Sequence, residues 1–442
     1  MPKHLGTDRP ISRRALLSGA AVLIASAAAA VRRAVGNGSA PTTEPTPSIP
    51  TAVAWWSDPA AGTQRQIIVM SGSGHDRTDH PVEVNLAQSS VPVDGASLRV
   101  VEVDTTGRVV DANVPYQYDP DVVPSLVILA GGNTPASTTR TFCAYFDPGR
   151  ISTPGGSASP TVRLEEDHID EGQQAFLITT RQGTYSYQTS GASLSSLVDR
   201  DGHDWLSYHD KPGPGPTGAR GFYRGLPNFH FPDGNFHPGF EVSTSNVLAN
   251  GPLRVIIRST SSAGGTWEYE TTFFADFARA TVTKAASPYW FLYEGTPGGE
   301  SSRGGVKPFK VMRADGTEFG HRDDWSKVFK DEAWVSFRSP GLGTEYGRSF
   351  FLAANDPQRT VDSYHLARDD GSTIGADDLG AMTVFGFGRS GAKMTLVPDE
   401  TPNRFTFGLF EPRDSVAAAA IIRGAYRDLS IALGAVETRP GG

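Results

Sequence analysis

The sequence predicts an all-β protein with a small N-terminal β-sandwich, a larger unit of two stacked antiparallel sheets, and one C-terminal helix. Three observations carry that expectation. Glycine and proline (49 and 32 of 442 residues) are abundant while apolar residues reach only 38%, the balance of a turn-dense β protein. Short apolar runs alternate with turn residues from Val53 onward. A single stretch repeats its apolar positions at helical spacing. At roughly 100–200 residues per domain, the length predicts two domains, or three small ones. No triplet repeat, sustained heptad or series of apolar 20-mers is present, which excludes a collagen, a coiled coil and a multi-span membrane protein. Cys143 is the sole cysteine, so an intramolecular disulfide framework and a cysteine-built zinc site are excluded as well.

The elements follow in order. Arg13-Arg14 precede a moderately apolar, alanine-rich segment from Ala20 to Ala30, so residues 1–35 have the pattern of a twin-arginine export signal. That segment is short for a membrane span, and alanine adds little transfer energy. Residues 36–52, rich in Pro, Ser, Thr and Gly, read as a flexible tether. Residues 53–150 carry strand runs such as Ile67-Ile68-Val69-Met70 and Leu126-Val127-Ile128-Leu129, split by turns such as Asp94-Gly95; they predict one β-sandwich. A Gly/Ser/Pro-rich linker from Gly149 to Pro160 follows. Residues 161–442 continue in the same style, with Leu253 to Arg258, Trp267 to Phe274 and Ala280 to Lys284 reading as a meander. These strands exceed what one sheet of ordinary size holds, hence two stacked sheets. Asp414-Ser415 can cap a helix over Val416 to Leu433, expected to cover a sheet face or a domain junction.

Charge narrows the function. Residues 1–50 hold six Lys/Arg and two Asp/Glu, so the remainder carries 34 basic and 46 acidic residues, a net −12. Nucleic acid is excluded as a partner, because phosphate binding relies on Lys and Arg. Export implies no membrane association afterwards; the oligomeric state is not encoded legibly. The sequence lacks a Gly-x-Ser-x-Gly elbow, a phosphate-cradling loop, His-Glu-x-x-His and a dinucleotide fingerprint, which removes serine-nucleophile, nucleotide and zincin chemistry.

The remaining polar groups concentrate in three places. Asp199 to Phe240 holds four of ten histidines, with His209, Arg220, Tyr223, Arg224, Asn228, His230 and His237; irregular segments this long and this aromatic are functional more often than not. Tyr289 to Glu294 is an aromatic strand ending in a carboxylate. Alternation puts Tyr289, Phe291 and Tyr293 on one face, and Trp290, Leu292 and Glu294 on the other. His75, Asp76, Asp79 and His80 form a loop that a divalent metal would suit, although solvated turns of this composition are commoner. Tyr364-His365 is a fourth, smaller candidate.

The strand-rich block from about 161 to 410, Gly251-Pro252-Leu253-Arg254, and the strand from Tyr289 to Glu294 resemble secreted bacterial carbohydrate-active proteins with a galactose-mutarotase-like supersandwich. The resemblance implies a β-supersandwich with a cleft on one concave face, and a polysaccharide or oligosaccharide as substrate. It supplies no catalytic residue by position. Chemistry then suggests β-elimination at a uronic acid: Arg224 or Arg220 neutralises the carboxylate, His237 removes the proton, and Tyr223 protonates the leaving oxygen. Substrate contacts are expected from Asn228, His230, His209, Trp290, Tyr364 and His365. The alternatives are a glycoside hydrolase pairing Glu294 with Asp204, Glu241 or Glu332, and a non-catalytic glycan-binding protein. No cofactor is required in any of them, with a divalent metal left open.

Overall fold

A computed structural model describes residues 46–58, 61–86, 92–149, 155–156, 158–206, 225–230, 243–261, 267–302, 305–329, 331–339, 347–356, 361–368, 381–388 and 397–440. The predicted signal segment therefore lies outside the described residues. As the composition implies, the protein is mostly strand, in large antiparallel sheets. Among the described residues no helix is long and apolar enough to cross a membrane.

Eight strands come first: β1 (Gln64–Ser71), β2 (Arg77–Val84), β3 (Arg99–Val103), β4 (Val109–Asp111), β5 (Tyr116–Tyr118), β6 (Leu126–Thr134), β7 (Thr139–Phe146) and β8 (Gly155–Gly156). β1, β7, β3 and β4 share one sheet, and β2, β6, β5 and β8 the facing one. β1 is apolar on both faces, and both are covered. Ile68 and Met70 meet Val82, Leu126 and Ile128 between the sheets. Ile67 and Val69 instead pack with Val53, Trp55, Trp56 and Tyr145, so the segment before β1 shields the outer face.

Eighteen strands follow: β9 (Arg163–Asp170), β10 (Gln173–Thr179), β11 (Gly183–Gln188), β12 (Ser193–Asp199), β13 (Gly225–His230), β14 (Ser243–Asn250), β15 (Val255–Ser261), β16 (Glu268–Phe273), β17 (Ala278–Lys284), β18 (Trp290–Gly295), β19 (Lys310–Arg313), β20 (Glu318–Gly320), β21 (Trp325–Val328), β22 (Ala333–Arg338), β23 (Ser349–Ala354), β24 (Val361–Arg368), β25 (Ala381–Phe387) and β26 (Asn403–Phe410). They build two nine-stranded sheets. The first runs β21-β24-β25-β18-β13-β12-β11-β10-β9; the second, the backing sheet, runs β14-β15-β16-β17-β26-β23-β22-β19-β20. Between them lies an aromatic core in which Phe291 stacks on Phe405 at 3.8 Å and Tyr293 meets Phe350 at 4.8 Å. Each such ring contributes ~2–3 kcal/mol by leaving water.

Helix α1 (Ser415–Tyr426) is capped by Asp414, whose Oδ1 accepts from Ala417 N at 2.7 Å. Ala418, Ile422, Ala425 and Tyr426 pack on Phe274, Trp334, Phe351 and Phe410 of the backing sheet and its turns. The helix is shorter than its sequence predicts. Arg427 is extended, and Ser430–Thr438 forms β27, antiparallel to β1 with Ser430 opposite Ser71. Ile431-Ala432-Leu433 satisfies helical and strand spacing alike, and pairing with the open edge of β1 decides between them. The first sandwich is thus not confined to residues 53–150, because the C-terminus completes it.

The two strand assemblies are joined through Gln117 and Arg254. Gln117 Oε1 accepts from Leu253 N and Arg254 N, both at 2.9 Å. The fully buried Arg254 guanidinium reaches Asp119 at 3.0 Å and Pro124 O at 2.6 Å. Gly251 permits this approach, since a Cβ there would stand 2.3 Å from Gln117 Cδ. The Gly251-Pro252-Leu253-Arg254 run is therefore a joint between the assemblies.

Candidate active site on the concave sheet

Asp170 on β9 accepts hydrogen bonds from Ser195 Oγ at 2.5 Å and Ser196 Oγ at 2.8 Å, both on β12. Two strands separate β9 from β12, about 14 Å across a flat sheet. The sheet must curl to bring them together, and the face bearing Ser196 is the concave one. Leu197 points the other way, into the core.

The same alternation places Glu294. Tyr289, Phe291 and Tyr293 lie in the core, leaving Trp290, Leu292 and Glu294 on the concave face as the sequence predicts. Glu294 is 4% exposed. It stands opposite Gly225 of β13 on one side and Val384 of β25 on the other, with His365 of β24 beyond Val384. His365 is half-buried and roughly 10 Å from Glu294 along this row, two strand spacings away.

Asp204 enters the sheet by an unusual route. Residues 204–206 run antiparallel to β12, with Asp204 opposite Val198 and Trp205 N donating to Leu197 O. On their other side, Trp205 O accepts from Tyr293 Oη at 2.7 Å and from Thr296 N at 3.1 Å. They occupy the slot between β12 and β18 that β13 fills further along. Gly295 makes room, because a Cβ there would meet Trp205 O at 2.3 Å. Leu206 and Gly225 therefore both lie in one slot, with Asp204 two residues before the first and Glu294 opposite the second.

The Asp204 carboxyl is pushed up to about 7. Burial is the main cause, with the neighbouring Asp170 charge adding to it. Hydrogen bonds from Leu197 N at 2.9 Å and Leu206 N at 3.0 Å pull the other way without prevailing. An acid neutral near pH 7 and fixed by two backbone donors is a proton donor in waiting. Asp170 and the Ser195-Ser196 pair carried no sequence signal; only the curl of the sheet brings them to Asp204.

The other predicted residues divide. Asn228 and His230 occupy strand positions opposite Leu292 and Trp290, and Trp290 is half-buried. His209, Arg220, Tyr223, Arg224, His237 and Glu241 lie outside the described residues. Tyr364 does not reach the concave face. With Asp362 and Leu366 it alternates inward, stacks on Trp325 at 4.5 Å and donates to His321 O. Glu332 is equally removed, held by Arg423 at 2.8 Å and Arg427 at 3.2 Å against α1.

Residues 75–80 are not the loop that the sequence suggests, since β2 begins at Arg77, and their side chains do not converge on one point. His80 is buried and stacks on Phe277 at 5.8 Å, while Asp76 and Asp79 accept from Ala136 N and Gly132 N. One His/carboxylate group does gather among the described residues: Asp199, Asp201 and His203. The Asp199 oxygens are taken up by Asp201 N, His203 N and Trp205 Nε1, and Asp201 pairs with Arg348. That group is a braced turn.

No protein-family model matches the chain, and no curated protein matches it. Solved structures do. A Salmonella typhimurium protein assigned as a mutarotase, YeaD, is similar at 12% identity over 53% of this chain and 90% of its own, with a TM-score of 0.35. An alpha-mannosidase from Enterococcus faecalis V583 is similar at 10% identity over 85% of this chain and 46% of its own, with a TM-score of 0.43. A 4-alpha-glucanotransferase from Thermococcus litoralis is similar at 12% identity over 57% and 40%, with a TM-score of 0.33. The chain spans less than half the length of the last two. Likeness at this level names neither a family nor an activity, and the site rests on its own geometry.

Proposed function

We propose that the protein is a carbohydrate-active enzyme that hydrolyses glycosidic bonds on the concave face, with Asp204 as general acid and Glu294 as the second carboxyl group. The observation that carries this reading is the place of Asp204: a half-buried carboxyl held by Leu197 N and Leu206 N and pushed up to about 7, in the strand slot that also passes Glu294. Acetal cleavage needs a proton for the departing oxygen and a carboxylate on the other side of the sugar, and no metal or nucleotide. Asp204 supplies the first because burial disfavours its charged form. Glu294 supplies the second as base or nucleophile. Trp290, and His365 in the row of Glu294, offer a ring surface and a hydrogen-bonding group for sugar hydroxyls. Two carboxyl groups beside one slot are the equipment of acetal hydrolysis, and that favours hydrolysis over β-elimination.

The test is a panel of neutral and anionic oligosaccharides and polysaccharides incubated with the protein, scored for new reducing ends and for new ultraviolet absorbance. Reducing ends without absorbance, lost in both Glu294→Gln and Asp204→Asn, is the expected result. Absorbance from an unsaturated product shows elimination and overturns the proposal. Retention on a glycan gel with neither product overturns it in favour of binding alone.

A further inference from the structure

A cavity lies away from the concave face, where β2 of the first sandwich, the turn between β16 and β17, and the flank of α1 come together. It measures about 650 Å³, within the range of small-molecule sites. Its floor is Phe274, Phe277, Phe351 and Phe410, each 1–3% exposed. Its wall on the helix is Ala417, Ala420, Ile421 and Gly424, spaced so that one face of α1 lines the opening. Ile421 is 42% exposed, an aliphatic side chain left in water beside an apolar hollow.

The charges around the opening are unevenly committed. Each of the four lining carboxylates has a partner: Asp76 accepts from Ala136 N, Asp79 and Asp276 share Arg181, and Glu411 pairs with Arg348. Arg77 is spent on the carbonyls of Gly72, His75 and Arg427. Two guanidinium groups differ. Arg200 is exposed and has no partner among the described residues. Arg413 is 88% exposed, 3.7 Å from its neighbour Asp414. The lining as a whole is balanced, four carboxylates against four arginines, and these two cations are the ones left open to an incoming anion.

We propose that this cavity binds an amphiphilic anion, with an aromatic or alkyl body against the phenylalanine floor and the helix, and a carboxylate, sulfate, sulfonate or phosphate head at Arg200 and Arg413. The apolar body gains from leaving water, and guanidinium groups favour planar or tetrahedral oxyanions through paired N–H donors. The site is independent of the proposed glycosidase centre, since Phe351 and Phe410 belong to the cluster under α1 and not to the core behind Glu294.

The probe is 8-anilinonaphthalene-1-sulfonate, an aryl body bearing one anionic head, titrated by fluorescence against the full chain. Saturable binding at one site per chain is expected. Ala420→Trp, at an exposed helix position, fills the opening and should weaken binding at least tenfold. Arg200→Ala should weaken it about tenfold, the worth of one charge-assisted contact, while binding of the uncharged N-phenyl-1-naphthylamine stays within about twofold. Glu294→Gln should bind the sulfonate as the wild type does, which separates this site from the catalytic proposal. Non-saturable binding, more than one site per chain, or wild-type affinity in either Ala420→Trp or Arg200→Ala overturns the proposal. Unchanged melting temperatures in both variants show that the fold is intact.

Discussion

Asp204 shows how much of a site is environment and how little is residue type. Nothing in the sequence separates it from the other acids of Asp199 to Asp204; burial and the Asp170 charge do so in the folded chain. The linkage has a definite sign. Unfolded, the carboxyl titrates near 3.8; folded, near 7. Below pH 3.8 it is protonated in both states, and its contribution to stability is full. As pH rises through 7 the folded state is left with a charge it disfavours, and that contribution is lost. Asp204→Asn keeps an oxygen for Leu197 N and Leu206 N but cannot ionise. It should therefore stabilise the protein at pH 8 by about 1–3 kcal/mol relative to pH 4 while lowering turnover by ~100-fold or more. Urea denaturation at the two pH values checks the first half; equal differences at both would show that Asp204 is not neutral in the fold. Wild-type turnover should decline as pH rises past 7, when the donor loses its proton.

Among the elements, β18 and α1 show how local geometry holds the site and the sheets in place. Gly295 is the one residue of β18 that lets residues 204–206 lie alongside, so Gly295→Ala must displace the strand carrying Asp204. Turnover should fall by more than tenfold at a stability cost of ~1–3 kcal/mol. Turnover unchanged in that variant would dissociate the slot from the chemistry. α1 is held by Glu332, whose carboxyl Arg423 and Arg427 bring down to about 2 in spite of partial burial. A lowered folded value contributes stability above the ordinary 4.5 and loses it as pH falls towards 2. Glu332→Gln should cost about 1–2 kcal/mol at pH 7, and the gap should close near pH 2. A gap that persists there would locate the helix anchor in packing alone.

For the molecule as a whole, the Arg254 joint predicts that the first sandwich and the larger assembly unfold together. Its guanidinium is fully buried between Asp119, Glu83 and Pro124 O, and Arg279 reaches the same Glu83 at 2.5 Å. Arg254→Met preserves bulk but removes the cation between Asp119 and Glu83, so a loss of about 3–5 kcal/mol is expected. Calorimetry is expected to give one transition for the wild type and two for the variant. A single transition with unchanged midpoint would mean that β27, which ties the C-terminus back to β1, carries the coupling instead.

The sequence by itself determined the strands, the turns and the facing of residues 289–294, because period-two alternation and glycine turns act over a few residues. It also supplied Glu294, Asp204, Trp290 and His365 as candidates by their chemistry. Tertiary structure alone decided which of the candidates share the concave face. Tyr364 turned inward and Glu332 joined a helix anchor, since neither the choice of face in a doubly covered strand nor the partner of a carboxylate is written locally. β27 became a strand because an edge 360 residues earlier in the chain was open to it. The proton on Asp204 depends on a sheet curled tightly enough to bring β9 to β12, and desolvation of that kind is a property of the packed whole.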